Sequence, residues 1–299
     1  MTAASISPAR AWLLAARPRT LPAAVAPVLV GTALALRDNS FVPGPALAAL
    51  LVALLLQIAA NFANDVFDFH RGADTAERLG PTRMVQSGLI TSRQVYTATI
   101  VTIVLAALVG FYLVLRGGVP LLILGLAAIV ATLAYTGGPF PLGYNGLGEV
   151  FVLLFFGFVA VVGTYFVQAL QVSALAFAIA VPVGALVTAI LVVNNLRDLE
   201  TDRAAGKRTL AVRFGRAGTQ AEYAALIAIA YLMPPLLWLL GGLSPWVLLP
   251  WLTAPLAARL IRETRTTTGR ALNKTLGGTG QLELLYSILL AAGILLSGR

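Results

Sequence analysis

The chain of 299 residues has no cysteine, one histidine and little charge: 11% of its residues are Asp, Glu, Lys or Arg, against roughly a quarter in an ordinary soluble domain. Without cysteine there are no disulfides, thiolate metal sites or cysteine nucleophiles. A lone histidine argues against an imidazole metal centre. The low charge density excludes a soluble globular protein, and a mean hydropathy of +0.87 means that lipid solvates most of the apolar surface. Twenty-one Lys and Arg against 12 Asp and Glu leave a formal +9. In a densely charged chain that balance would suggest nucleic acid; here no nucleic-acid partner is expected.

Long apolar runs take the place of a soluble core. A helix needs about 20 apolar residues to cross a bilayer, and it satisfies its own backbone there. Nine candidates lie near Leu21–Leu36, Ala46–Ala63, Tyr96–Leu115, Val119–Tyr135, Val150–Gln168, Ala174–Val193, Tyr223–Leu240, Trp246–Ala258 and Leu282–Ser297. The first and eighth are short and carry prolines (Pro22 and Pro27; Pro250 and Pro255), which predicts kinks or imperfect edges. Arg17-Pro18-Arg19 directly precedes the first run and no convincing cleavage site closes it, so it reads as a retained span and not as a secretory signal. Nine spans sort 18 of the 21 Lys and Arg to one side and leave Arg37, Arg116 and Arg299 on the other. The positive-inside rule then makes the N-terminus cytoplasmic in a multi-pass protein of the cell membrane. The expected organisation is one polytopic domain over 1–299, with a cytoplasmic segment at 1–20 and two Asp-rich cytoplasmic loops at 64–94 and 194–222.

The acidic residues are not scattered. Between spans two and three the chain reads Asn64-Asp65-Val66-Phe67-Asp68-Phe69-His70-Arg71-Gly72-Ala73-Asp74, and between spans six and seven Asn194-Asn195-Leu196-Arg197-Asp198-Leu199-Glu200-Thr201-Asp202. Asn64 and Asp68, Asn194 and Asp198, and Asp198 and Asp202 are each four apart, one helical turn on one face. Four intervening spans return the chain to the same side, so the clusters can face one another. Asp65, Asp68, Asp74, Asp198 and Asp202 would repel each other at a lipid boundary, where uncompensated charge costs several kcal/mol. Oxygen-only ligands favour Mg²⁺ as the compensating cation, commonly held by a few carboxylates plus substrate phosphates. Arg71, Arg83, Arg197, Arg203, Lys207 and Arg208 lie in the same segments, which suits a diphosphate bridged by two Mg²⁺ ions. His70, Glu77 and Glu200 read as solvated loop residues.

These features resemble the UbiA-type superfamily of intramembrane aromatic prenyltransferases, whose signature is a pair of aspartate-rich motifs. Arg17-Pro-Arg-Thr-Leu-Pro22, Gly80-Pro-Thr-Arg-Met-Val-Gln-Ser-Gly88, Tyr135-Thr-Gly-Gly-Pro-Phe-Pro-Leu-Gly143 with Gly146-Leu-Gly-Glu149, and Gly206-Lys-Arg-Thr-Leu-Ala-Val-Arg213 are similar to the 1,4-dihydroxy-2-naphthoate polyprenyltransferases of menaquinone biosynthesis. The resemblance spans most of the chain. The 4-hydroxybenzoate branch is less similar, because its Lys-Arg pair after the fourth span is replaced here by glycines and prolines.

The resemblance implies an all-α integral membrane bundle of about nine transmembrane helices around a central cavity, with the active site on the cytoplasmic side. Carried over, Asn64, Asp65, Asp68, Asp74, Asn195, Asp198 and Asp202 are the expected metal ligands, and Asp65, Asp68, Asp198 and Asp202 the catalytic ones. Asn194 and Asn195 both fit the second motif. Arg19, Arg71, Arg83, Lys207, Arg208, Asn194 and Tyr135 are expected to bind substrate. The implied reaction joins a polyprenyl diphosphate to 1,4-dihydroxy-2-naphthoate, releasing diphosphate and CO₂ and giving demethylmenaquinol. Phe62, Phe151, Phe155, Tyr165 and Tyr286 are candidates for a dry aromatic wall. The loop Tyr135–Glu149 reads equally as a lid or as a plain turn. Two rival readings stay open: a prenyltransferase for another acceptor (4-hydroxybenzoate, homogentisate, a chlorophyllide or haem), and an ion-coupled secondary transporter.

Overall fold

The computed structural model describes residues 6–72 and 78–298, and among these every regular element is helical. The elements are α1 (Pro8–Ala16), α2 (Pro22–Arg37), α3 (Pro43–His70), α4 (Ser92–Gly117), α5 (Val119–Ala134), α6 (Gly148–Ala169), α7 (Ala174–Ala204), α8 (Leu210–Leu239), α9 (Ala254–Thr266) and α10 (Leu272–Leu296). Proline opens α1, α2, α3 and α5, where its missing N–H costs nothing and its fixed φ suits a helix start. Thr91 and Gln94 form a reciprocal cap at the start of α4, and Gly118, at φ 74°, turns α4 directly into α5.

The protein is a multi-pass membrane protein. Six helices (α3, α4, α6, α7, α8 and the α10 rod) are long and apolar enough to cross a bilayer. The remaining three expected spans differ from simple rods. The first is the second arm of a pair bent by 49°, the fourth is only 16 residues long, and the eighth is a 3-10 stretch, Pro245–Thr253, running on into α9. Proline explains the eighth: Pro250 and Pro255 remove backbone donors just where an α-helix would need them. Nine is therefore the number of hydrophobic segments and only approximately the number of complete spans.

The 31-residue α7 is the axis of the bundle and buries most of its length against α2, α6, α8 and α10. Its Val183, Leu186, Ala189 and Val193 join Tyr223 and Ile227 of α8 and Leu282, Tyr286 and Leu290 of α10 in the main core. Gly157 of α6 and Gly184 of α7 let those helices cross almost backbone to backbone: a methyl group at Gly184 would sit 2.8 Å from the Gly157 Cα. At the crossing α6 widens into a π-helical segment, Leu153–Val159. By contrast α5 has no buried residue and packs on α3 and α4 but scarcely on α6.

Asn64, Asp65 and Asp68 of the first cluster lie on α3, and the second cluster lies on α7. The 28 residues of α3 measure about 42 Å at 1.5 Å each, longer than a hydrocarbon layer of about 30 Å. The last two turns of α3, and likewise of α7, therefore reach headgroup depth while still helical.

Candidate functional site

Polar side chains enter the bundle in two rows. On α3, Gln57, Asn61, Asn64 and Asp68 follow steps of four, three and four, and all line one cavity. On α7, Asn194, Asn195, Asp198, Thr201 and Asp202 line the same cavity from across the bundle. The α3 row is anchored from α1 and the turn after it: Gln57 and Asn61 donate to Thr20 Oγ1 at 3.1 and 3.0 Å, and Asn61 also donates to the Ala16 carbonyl at 3.0 Å. Thr136 donates to Asn64 Oδ1 at 2.9 Å.

Each carboxylate at the mouth is matched by a cation. Arg83 Nη2 donates to Asp68 Oδ2 at 2.7 Å, with both side chains about 95% buried, and the Tyr144 hydroxyl donates to Oδ1 at 2.5 Å. Arg197 grips Asp198 through Nε at 2.8 Å and Nη2 at 2.5 Å, and reaches Asn194 and Asn273 at 2.8 Å each. Lys207 Nζ lies 3.0 Å from Asp202 Oδ1 and 4.5 Å above the Tyr144 ring. Burial alone would ease the loss of the Lys207 proton, but Asp68 and Asp202 outweigh it and hold this ammonium above the ordinary lysine value. On α6, buried Glu149 accepts from Asn195 Nδ2 at 2.8 Å.

The cavity encloses about 670 Å³, the size of a small-molecule site. Its mouth carries Arg17, Arg19, Arg78, Arg83 and Lys207 against Asp68, Asp198 and Asp202, a surplus of positive charge suited to a polyanion. From there it runs between α3, α4, α5 and α6 along apolar walls that include Leu113, Leu121, Leu124, Phe155 and Val159. The step from Asp68 to Ala49, which also lines it, is 19 residues of α3, or about 28 Å. A charged head and a long hydrocarbon tail match this shape.

Most residues expected from the sequence come together here: Arg19, Asn64, Asp68, Arg83, Tyr135, Asn194, Asn195, Asp198, Asp202 and Lys207 all line the cavity. Asp65 does not; it turns into the adjoining turn and accepts the backbone N–H groups of Met84 and Val85 at 3.0 and 3.2 Å. Arg71 stands over the outer face of Tyr144 and donates to the Gly138 carbonyl. Arg208 meets Tyr144 through its backbone N–H, at 2.7 Å, while its side chain is exposed. Asp74 lies outside the described residues. Of the aromatic candidates, Phe151 and Phe155 line the cavity. Phe62 packs on Trp12, Tyr165 bonds Asp38 and Tyr286 bonds the Ala230 carbonyl. The glycine- and proline-rich loop serves to bring Tyr144 over Asp68.

Sequence reasoning passed over Arg17, Gln57, Asn61, Arg78, Tyr144 and Glu149. Gln57 and Asn61 could have been found by extending the Asn64–Asp68 face inward by two turns. Arg17 is placed by the structure alone: it ends α1 as a C-cap in the left-handed conformation (φ 53°), its N–H bonded to the Leu14 carbonyl.

The oxygen donors Asn64, Asp68, Asn195, Asp198 and Asp202 fit a hard divalent cation. Among the described residues no three acidic or histidine side chains lie close enough to share one ion.

The sequence profile of the UbiA prenyltransferase family matches residues 24–276. A 1,4-dihydroxy-2-naphthoate octaprenyltransferase of Mycobacterium tuberculosis is 44% identical over 284 residues, covering 95% of this chain and 96% of the relative. The octaprenyltransferase of the same name from Escherichia coli is 41% identical and covers 99% of both chains. Among solved structures, a UbiA homologue from Aeropyrum pernix superimposes with a TM-score of 0.67 over 98% of this chain and 99% of that one at 18% identity. One from Archaeoglobus fulgidus bound to GPP and Mg²⁺ superimposes with 0.65 over 94% and 99% at 16% identity.

Proposed function

Because the chain belongs to the UbiA prenyltransferase family, we propose that it transfers a polyprenyl group from a polyprenyl diphosphate to 1,4-dihydroxy-2-naphthoate. The products are diphosphate, CO₂ and demethylmenaquinol, in menaquinone biosynthesis. The carrying observation is one continuous cavity whose mouth joins both aspartate motifs to five cations and whose body is hydrocarbon-lined. In this reading the membrane is the cell membrane and the N-terminus and both motifs face the cytoplasm, an orientation that the sorting of Lys and Arg supports.

The diphosphate sits at the mouth, where Arg17, Arg19, Arg78, Arg83 and Lys207 meet its negative charge. Asn64, Asp68, Asn195, Asp198 and Asp202 would hold Mg²⁺, as two ions in this reading, which would supply Lewis-acid stabilisation of the departing oxygen. Asn195 is the ligand and Asn194 the support, because the one side-chain oxygen of Asn194 accepts from Arg197 whereas Asn195 is bonded through its Nδ2; Asp198, both of whose oxygens accept from Arg197, would give up one of those bonds to reach the ion. Asp65 acts from behind by fixing the turn that carries Arg83. Arg83 and Lys207 exchange a carboxylate partner for a phosphate oxygen when the donor arrives, so no charge is left buried and unpaired.

The allylic C–O bond breaks with both electrons going to diphosphate, and the cations at the mouth stabilise that charge as it forms. A ring carbon of the hydroquinone then attacks the prenyl carbon, and the ring carboxyl leaves as CO₂. The apolar walls keep water from the allylic cation. The clusters stand at one membrane face and not at the midplane, which disfavours the transporter reading.

The test is purified protein with octaprenyl diphosphate and 1,4-dihydroxy-2-naphthoate. Prenylated product is expected only with Mg²⁺. Ion flux into vesicles with no product under any condition would overturn the reading.

A further inference from the structure

Several glycines of the bundle are required by close packing; Gly31, for instance, faces the Val161 carbonyl at a distance that leaves no room for a methyl group. Gly125 of α5 and Gly163 of α6 are different. Both lie in helix interiors without positive φ, and a methyl group at either would meet no atom within 4 Å. Glycine weakens a helix interior relative to alanine, so neither backbone geometry nor packing accounts for these two.

What lies in front of them is the cavity. On α5, Leu121, Gly125, Ala128 and Thr132 are among the lining residues and follow helical steps of four, three and four; on α6, Phe156 and Val159 of the π-helical segment line it, and Gly163 lines it one turn further on. Gly125 therefore stands second in its cavity-facing row and Gly163 third in its own, on the two helices that flank the thinly packed side of the channel. Their depths differ. Gly148 of α6 abuts the Tyr135 side chain at the polar end, where a methyl group on Gly148 would lie 3.0 Å from the Tyr135 hydroxyl. At 1.5 Å per residue Gly125 is about 15 Å below Tyr135, and Gly163 about 22 Å below Gly148.

We propose that Gly125 and Gly163 set the length of prenyl tail that the cavity admits, Gly125 by keeping the channel open at the shallower level and Gly163 at the deeper one. The inference rests on the prenyl-diphosphate reading of the mouth. A side chain at Gly125 would meet the tail a few prenyl units from the diphosphate, whereas one at Gly163 would meet only the far units of a longer tail.

The experiment measures binding of dimethylallyl, geranyl, farnesyl, geranylgeranyl and octaprenyl diphosphates with Mg²⁺ to the full chain in nanodiscs, beside turnover with 1,4-dihydroxy-2-naphthoate. In the wild type, affinity should rise along the series as more tail is buried. Gly125→Leu should stop that rise at a shorter donor than Gly163→Leu does, each losing about tenfold or more for octaprenyl diphosphate while binding of the dimethylallyl donor is unchanged. Gly125→Ala and Gly163→Ala, which disturb folding least, should shift the profile in the same order by a smaller amount. Wild-type length dependence in all four variants, or equal loss for short and long donors, would overturn the proposal. Binding without turnover in the wild type would instead refute the transfer reaction and leave the length assignment to be judged on affinities alone.

Discussion

The Tyr144 hydroxyl and the Asp68 carboxylate, 76 residues apart in the chain, meet in a 2.5 Å hydrogen bond at the mouth of the cavity. Lys207 lies over one side of the same ring and Arg71 within 5.5 Å of its centre. A single tyrosine thus ties the first aspartate motif to the loop after α5 and to the cations that follow the second motif.

Tyr144→Phe keeps the ring under Lys207 and removes only the donor to Asp68. A hydrogen bond to a charged group contributes about 1.5–3 kcal/mol, so kcat/KM should fall about tenfold or more. The same bond holds the fold, so the thermal midpoint should fall as well. Steady-state kinetics over a range of Mg²⁺ concentrations checks this; unchanged kinetics would reduce Tyr144 to a packing residue.

Arg197 is buried and uses three donors on Asp198, Asn194 and Asn273. Removing one partner of a buried ion pair costs about 3–5 kcal/mol. Arg197→Met should accordingly lower the unfolding midpoint in detergent sharply, and Arg197→Lys, which cannot make the bidentate contact, should recover only part of the loss.

Lys207 gives a pH dependence whose sign is fixed. Its folded value is raised above the ordinary 10.5 by Asp68 and Asp202, against the opposing effect of burial. The charged ammonium therefore stabilises the fold fully below pH 10.5 and loses that effect as pH rises through the higher folded value. The difference in unfolding midpoint between wild type and Lys207→Gln should stay constant from pH 7 to about 10 and narrow above it. Narrowing below pH 9 would contradict the pairing.

Gly184→Leu would drive a side chain into Gly157 and Leu153. Overpacking of this kind costs about 1–3 kcal/mol, so a lower unfolding midpoint is expected. Gly125→Ala faces open space and should be neutral or stabilising by up to about 1 kcal/mol. Equal effects in thermal denaturation would mean that the two glycines have the same role.

Much of the fold was legible because hydropathy and the sorting of 18 cations act on the whole chain at once. The aspartate motifs were legible for a local reason: spacing by four puts Asn64 and Asp68 on one face. The same geometry explains Asp65, since a residue one step from Asn64 is turned about 100° away, toward the Met84 and Val85 amides. Tyr144 and Arg78 could not be read, because irregular backbone, not helical periodicity, delivers both to the mouth. The short fourth span and the 3-10 eighth span depend on how neighbouring helices pack, which hydropathy does not encode.

Calorimetric titration of geranyl diphosphate into wild type, Asp68→Asn and Asp198→Asn, each with Mg²⁺ and with EDTA, asks whether the two motifs act together on a diphosphate through divalent cations. Mg²⁺-dependent binding is expected in the wild type and loss of most of it in each variant, with thermal midpoints showing that both variants remain folded. Binding in both variants that matches the wild type and does not depend on Mg²⁺ would contradict that joint action.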